Sequence, residues 1–304
     1  MRLHFYAIVT LGLAVTFGTT ALADQTLITP SQNAWLNKNN RTILVHPQEV
    51  DPPFVFVGSG SQKEIKGFSV DYIQAVAKKL NITIKFSEAQ SLNRILANAR
   101  ERNDNGVVLS LTPSIEREQY FYFTDSYYST PAVIAVRKDF SSKKSVITLE
   151  DFSKKKVAVG DKYAVQSFIQ ANYPDVDLVS VSDDQGGLQK LLLGDVDAVV
   201  MDLASLTYYT ANDVLSYVKI VGRTGFEYKH SIGVPKSSPE LVLILNQGLK
   251  SISDAERQVL INKWMGTTVD ALGASIAAGG IKNTVTHEAT PWLIFIGFIV
   301  LIAA

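Results

Sequence analysis

The sequence predicts an α/β fold of two lobes, each built on a parallel sheet. Three observations predict it. Apolar, β-branched runs alternate with amphipathic helical stretches along most of the chain. One series occurs twice: "LNRILANARERNDNGVVLSLTPS" (92–114) and "GGLQKLLLGDVDAVVMDLAS" (186–205) both read as helix, turn, apolar strand and polar strand end. The 304 residues also exceed what one hydrophobic core usually serves.

Each element has its own signal. "TILVH" (42–46) is a β-branched strand. The stretch 68–81 places Val70, Ile73, Val76, Ala77 and Leu80 on one helical stripe, with Asn81 as the stop. "ITIKF" (82–86) is a strand, "LNRILANARER" (92–102) a helix and "GVVLSL" (106–111) a strand. In the second half, Thr148 and Asp151 of "TLEDF" form a capping pattern. Strand "KVAVG" (156–160), helix "AVQSFIQANY" (164–173), strand "VDLVSV" (176–181), helix "GGLQKLLLG" (186–194) and strand "DAVVMD" (197–202) follow. "PAVIAVRKD" (131–139) and "HSIGVPK" (230–236) are expected to cross between the lobes. A last amphipathic helix over 254–266 is expected to dock through Val259, Leu260 and Trp264.

The two ends are of a different kind. Arg2 and His4 precede an uncharged apolar run, and "ALA" precedes Asp24, so residues 1–23 are expected to be a signal peptide. The fourteen residues 291–304, "PWLIFIGFIVLIAA", carry no charge. A span needs about 20 such residues, so we expect the start of a transmembrane helix. Residues 267–290, rich in Gly, Ala and Thr, are its linker. The chain contains no cysteine, which excludes disulfides, thiolate chemistry and a cysteine lipid anchor. Charge is balanced, 29 basic against 29 acidic residues, which argues against nucleic acid as a partner. The four histidines are scattered and no GxSxG or phosphate loop is present, so neither a metal site nor a cofactor is expected.

The stretch 105–131 carries the candidate site. Its strand ends in hydroxyls at Ser110, Thr112 and Ser114, then Arg117 lies between two glutamates, and a run of aromatics follows. A guanidinium beside hydroxyls can grip a carboxylate. It can equally be a solvated arginine paired with Glu116 or Glu118. Asp202, at a strand end in the second half, can hold an ammonium or cap a helix. Asp183 and Asp184 are read as a helix start rather than a metal site.

Five motifs in order resemble one family: "PPFVF" (52–56), "GFSVDYIQAVAKKLN" (67–81), "LTPSIEREQYFYFTDSYY" (111–128), "GDVDAVVMD" (194–202) and "INKWMG" (261–266). Over about residues 33–266 the chain is similar to the bacterial extracellular solute-binding proteins of family 3, and most of all to the flytrap domains in front of transmembrane sensors. The resemblance implies a two-lobed periplasmic-binding-protein-like fold (type II). It implies a solute-binding domain over 24–266, with lobe 1 at about 33–131 plus 237–266 and lobe 2 at about 132–236. It also implies a site: Arg117 for an α-carboxylate, Thr112 and Ser110 beside it, Asp202 for an α-ammonium and Leu92 as an apolar wall. The chain departs from the family where Gly160 is followed by Asp161, Lys162 and Tyr163 instead of a hydroxyl residue, and where Asp51 replaces an aromatic before Pro52-Pro53. Asp161, Lys162 and Tyr163 are therefore candidates for a more polar pocket.

The expected function is binding of a small polar solute, an amino acid or related carboxylate, by the periplasmic input domain of a receptor anchored in the bacterial inner membrane, with a possible cytoplasmic signalling domain beyond. The alternatives are the substrate receptor of an ABC-type amino-acid transporter and an enzyme on the same fold.

Overall fold

The computed structural model describes residues 27–59, 63–101, 106–144, 147–210 and 217–266. The expected signal peptide, linker and membrane segment lie outside these residues. Among the described residues no helix is long and apolar enough to cross a membrane.

The first lobe opens with α1 (Pro30–Lys38), capped by Thr29 in a reciprocal box with Gln32. Strand β1 (Thr42–Val45) follows, then a small antiparallel sheet of β2 (Val50–Asp51), β3 (Val55–Val57) and β4 (Ile65–Lys66). Helix α2 (Phe68–Leu80) buries the whole predicted stripe, and Asn81 ends it with a left-handed φ of 51°. Gly67 starts it at φ 136°, where a Cβ would lie 2.1 Å from the Phe54 carbonyl oxygen, so only glycine fits. Strand β5 (Thr83–Phe86) pairs in parallel with β1. Helix α3 (Leu92–Arg100), β6 (Val108–Leu111), a 3-10 turn at Arg117–Gln119 and β7 (Phe121–Phe123) complete this stretch.

The second lobe is a mixed sheet rather than a purely parallel one. Strand β8 (Tyr128–Arg137) leads into β9 (Lys156–Gly160), α4 (Ala164–Asn172), β10 (Asp177–Val181), α5 (Asp184–Leu193), β11 (Ala198–Asp202) and α6 (Leu203–Thr210). β9 pairs in parallel with β10 and β11, whereas β8 pairs antiparallel with β11. Both faces are covered. Ala132, Ile134 and Val136 of β8 enter one core, and Val133 and Ala135 enter the other. That explains the unbroken apolar run.

Strand β12 (Val218–Pro235) is much longer than its predicted piece, 230–236. It pairs with β8 from Val218 to His230, then runs on to pair with β6 and β7. One strand thus belongs to both lobes. Helices α7 (Pro239–Lys250) and α8 (Asp254–Trp264) return to the first lobe and pack on α2. The α8 dock is polar as well as apolar: Trp264 Nε1 and Lys263 Nζ both donate to Asp71 Oδ2 at 2.6 Å. Leu260 and Trp264 touch the core as expected, but Val259 does not and is 67% exposed.

Candidate functional site

Where the two crossing strands meet the lobes, the structure closes around a small cavity of about 30 Å³. Its wall includes Leu92, Ser110, Thr112 and Arg117 from the first lobe, Tyr163 and Asp202 from the second, and Tyr228 and His230 from β12. Six of the sequence candidates therefore share one cavity.

Ser110 is the most constrained of them. It is buried and adopts φ 58° without being glycine, a conformation that costs about 1 kcal/mol or more. Two contacts fix it, one of them through a tyrosine that is itself held. Its N–H donates to the Tyr127 hydroxyl at 2.9 Å, that hydroxyl donates to Ser69 Oγ at 2.8 Å, and Ser110 Oγ meets His230 Nδ1 at 2.9 Å. The His230 ring stacks on Phe54, centroids 3.8 Å apart. Burial pushes the His230 pKa down to about 3, so the ring is neutral at pH 7.

Arg117 is 5% exposed, which rules out the solvated reading. Glu116 pairs with Arg100 instead. Arg117 Nη1 donates to the Thr112 carbonyl at 2.6 Å, and Nη2 donates across the cleft to the Lys162 carbonyl at 2.9 Å. Burial lowers its pKa only to about 10, so it remains a cation at pH 7.

Asp202 ends β11, and its two sequence readings coexist. Its Oδ1 accepts from Ser205 N at 2.9 Å, capping α6, while the side chain lies on the cavity wall. Burial raises its pKa to about 6. Asp161 and Lys162 are not on that wall. Asp161 Oδ2 accepts from Asn93 Nδ2 of the opposite lobe at 2.8 Å, a contact at the cleft rim. Lys162 takes φ 62°, which turns its carbonyl toward Arg117, and its side chain faces solvent. The ring of Tyr163 packs over Gly160, leaving no room for a Cβ there.

Asp51, Gln48, Tyr228 and His230 line the cavity without having been candidates. Gln48 Nε2 donates to Asp51 Oδ2 at 3.2 Å. Burial pushes the Asp51 pKa up, Ser110 offsets part of this, and Asp202 adds to it. The sequence held a signal for the β12 pair: Tyr228 and His230 are two apart and so share a strand face. A larger hollow of about 490 Å³, lined by Ile95, Val108, Tyr120, Phe121 and Lys236 among others, gathers no opposed charges.

The arrangement offers a fixed cation on one lobe and a carboxylate on the other. That suits a small solute carrying both charges. Comparison with known proteins gives the same class. Residues 43–267 match the family described as bacterial extracellular solute-binding proteins, family 3. The L-cystine-binding protein TcyJ of Escherichia coli is 26% identical over 235 residues, covering 76% of this chain and 85% of that protein. The sensor protein EvgS of Escherichia coli is 24% identical over 247 residues, covering 78% of this chain but only 19% of that much longer protein. The crystal structure of the periplasmic VFT2 domain of Bordetella pertussis BvgS superposes with a TM-score of 0.67 at 20% identity, over 78% of this chain and 98% of that one. The chain belongs to family 3 of the bacterial extracellular solute-binding proteins, periplasmic two-lobed domains that bind small polar solutes.

Proposed function

We propose that the domain holds an amino acid between Arg117 and Asp202, and that it is the input domain of a receptor tethered to the inner membrane. One observation carries the ligand reading: a buried guanidinium from one lobe and a buried carboxylate from the other line a single cavity. Arg117 would take the α-carboxylate through a charge-assisted pair. Asp202 would take the α-ammonium with the oxygen that does not cap α6. Arg117 donates across the cleft to the Lys162 carbonyl, so a ligand would enter with the lobes parted along β8 and β12. TcyJ, named for binding cystine, supports an amino-acid ligand.

Similarity to EvgS and the charge-free run 291–304 support the tether. The transporter-receptor reading keeps its own support, because TcyJ is matched along most of its length. Thermal shift of the chain against amino acids tests the ligand reading, and Arg117→Ala is expected to abolish every shift from a carboxylate ligand. An unaltered shift in that variant refutes the clamp. For the tether, the chain is expected to stay with washed membranes after osmotic shock. Release with the periplasmic fluid refutes it.

A further inference from the structure

The turn after β9 departs from the family pattern, and its polar groups reach across the cleft. Asp161 stands where a hydroxyl residue is expected, yet neither it nor Lys162 lies on the cavity wall. Asp161 Oδ2 accepts from Asn93 Nδ2 at 2.8 Å, and the Lys162 carbonyl accepts from Arg117 Nη2 at 2.9 Å. Asn93 and Arg117 both belong to the first lobe. Two successive residues of one turn thus bond to the opposite lobe.

The turn is shaped by its own lobe. The Asp161 N–H donates to the Val181 carbonyl at 2.7 Å, which ties the turn to the end of β10. Lys162 holds a left-handed φ of 62°, an unfavourable conformation for a lysine, and its N–H donates to Gln166 Oε1 at 2.9 Å. Gln166 Nε2 donates in turn to Ser180 Oγ at 2.8 Å. All of these supports come from the second lobe, so the contacts to Asn93 and Arg117 are additional to what holds the turn. On the other side, Asn93 lies in the first turn of α3, which Ser91 caps. A carboxylate only accepts, so Asn93 must present its amide N–H to Asp161. The positive end of α3 favours a carboxylate at that place as well.

We infer that Asp161 and Asn93 form a latch between the lobes, a pair of positioning residues that favours the joined state and touches no solute. Arg117 is a poor probe of this, because the proposed clamp also uses it. The inference does not depend on which solute the cleft holds. A pair that only decorates the rim would exert no pull on the lobes.

The distance between two spin labels on the full chain, with no solute added, tests it. The chain has no cysteine, so Leu193→Cys on α5 and Val259→Cys on α8, at positions 78% and 67% exposed, put one label on each lobe. The parent is expected to show one dominant distance, that of the joined lobes. Asp161→Ala and Asn93→Ala are each expected to raise the share of a longer distance about fivefold, as the net loss of one exposed hydrogen bond implies. The double variant is expected to go no further. Exchanging the partners, Asp161→Asn with Asn93→Asp, restores a donor and an acceptor and is expected to return the parent's distribution. Asn93→Asp alone sets two carboxylates face to face and is expected to give the largest share of the longer distance. Distances unchanged in both alanine variants overturn the latch. So does a change in one of them without the other, which marks a role inside a single lobe, or an exchange that restores nothing. A parent whose dominant distance is the longer one overturns it as well.

Discussion

Replacing Asp202 by asparagine is expected to stabilise this protein at neutral pH, although the residue caps a helix. The cap needs only an oxygen for Ser205 N, which asparagine supplies. The charge is what costs. Asp202 is 4% exposed, and burial lifts its pKa from 3.8 to about 6. At 1.36 kcal/mol per unit, holding it ionised costs the fold up to about 3 kcal/mol. A carboxyl raised in the folded state favours folding at pH below 4 and loses that contribution as pH rises through about 6. The two proteins are therefore expected to melt alike at pH 4 and to separate between pH 4 and 6. At pH 8 the variant is expected to be ahead by up to about 3 kcal/mol. For a domain of this size that is roughly 6–12 °C in Tm. Calorimetric melts at pH 4, 5, 6 and 8 read this directly. A variant less stable at pH 8, or a gap that does not change with pH, would refute the reasoning. If Asp202 is the ammonium partner proposed above, the same variant is expected to lose affinity for an amine ligand.

Two further outcomes follow from single contacts. His230 is neutral and buried, so its contribution is complete above pH 6.5 and lost as pH falls toward 3, about 2 kcal/mol by pH 5; in urea unfolding the stability of the parent relative to His230→Gln is expected to fall by about that amount from pH 7 to 5, because the carboxyls that titrate there are common to both, and a difference that does not change with pH would sink it. Gly222→Ala places a Cβ 1.9 Å from the Ile147 carbonyl oxygen, a backbone atom that cannot swing away; a loss of about 2–3 kcal/mol is expected in a thermal melt, and an unchanged Tm would contradict the packing.

Much of the frame was legible because its signals are local. The α2 stripe and Asn81 depend on spacing and one backbone angle, and both are in place. Helix α6 was legible only at its start, where Asp202 is a possible cap, because "LASLTYYT" has no polar stripe to read. Most of β12 was missed because Gly222 and Gly225 interrupt its apolar pattern, where its pairing with β8 shifts register. Arg117, Ser110 and Asp202 stood out by residue type at strand ends. Asp51 showed only as a departure before a proline pair and Asp184 only as a helix start, since an acid in either place is ordinary until its surroundings are known. Lys162 was misleading for the opposite reason: the sequence advertises an ammonium, while its left-handed backbone presents a carbonyl.

The position of Tyr228 and His230 ties the site to the motion of the lobes. Both lie on β12 where it pairs with Thr130 and Tyr128 of β8, so the floor of the cleft is also the crossing between lobes. Arg117 stands on one side of that crossing and Asp202 on the other. A solute can shift the balance between parted and joined lobes only by as much as it prefers one of them. A molecule touching Arg117 alone has no such preference beyond what the first lobe gives. One that reaches Arg117, Asp202 and Tyr228 together makes its full set of contacts only when the lobes meet. In that state Arg117 spends one of its five donors on the Lys162 carbonyl and one on the Thr112 carbonyl, and the others are left for a carboxylate. The net preference then rests on the ligand's pair of ionic contacts, which favours charged, two-ended solutes over neutral ones of the same size.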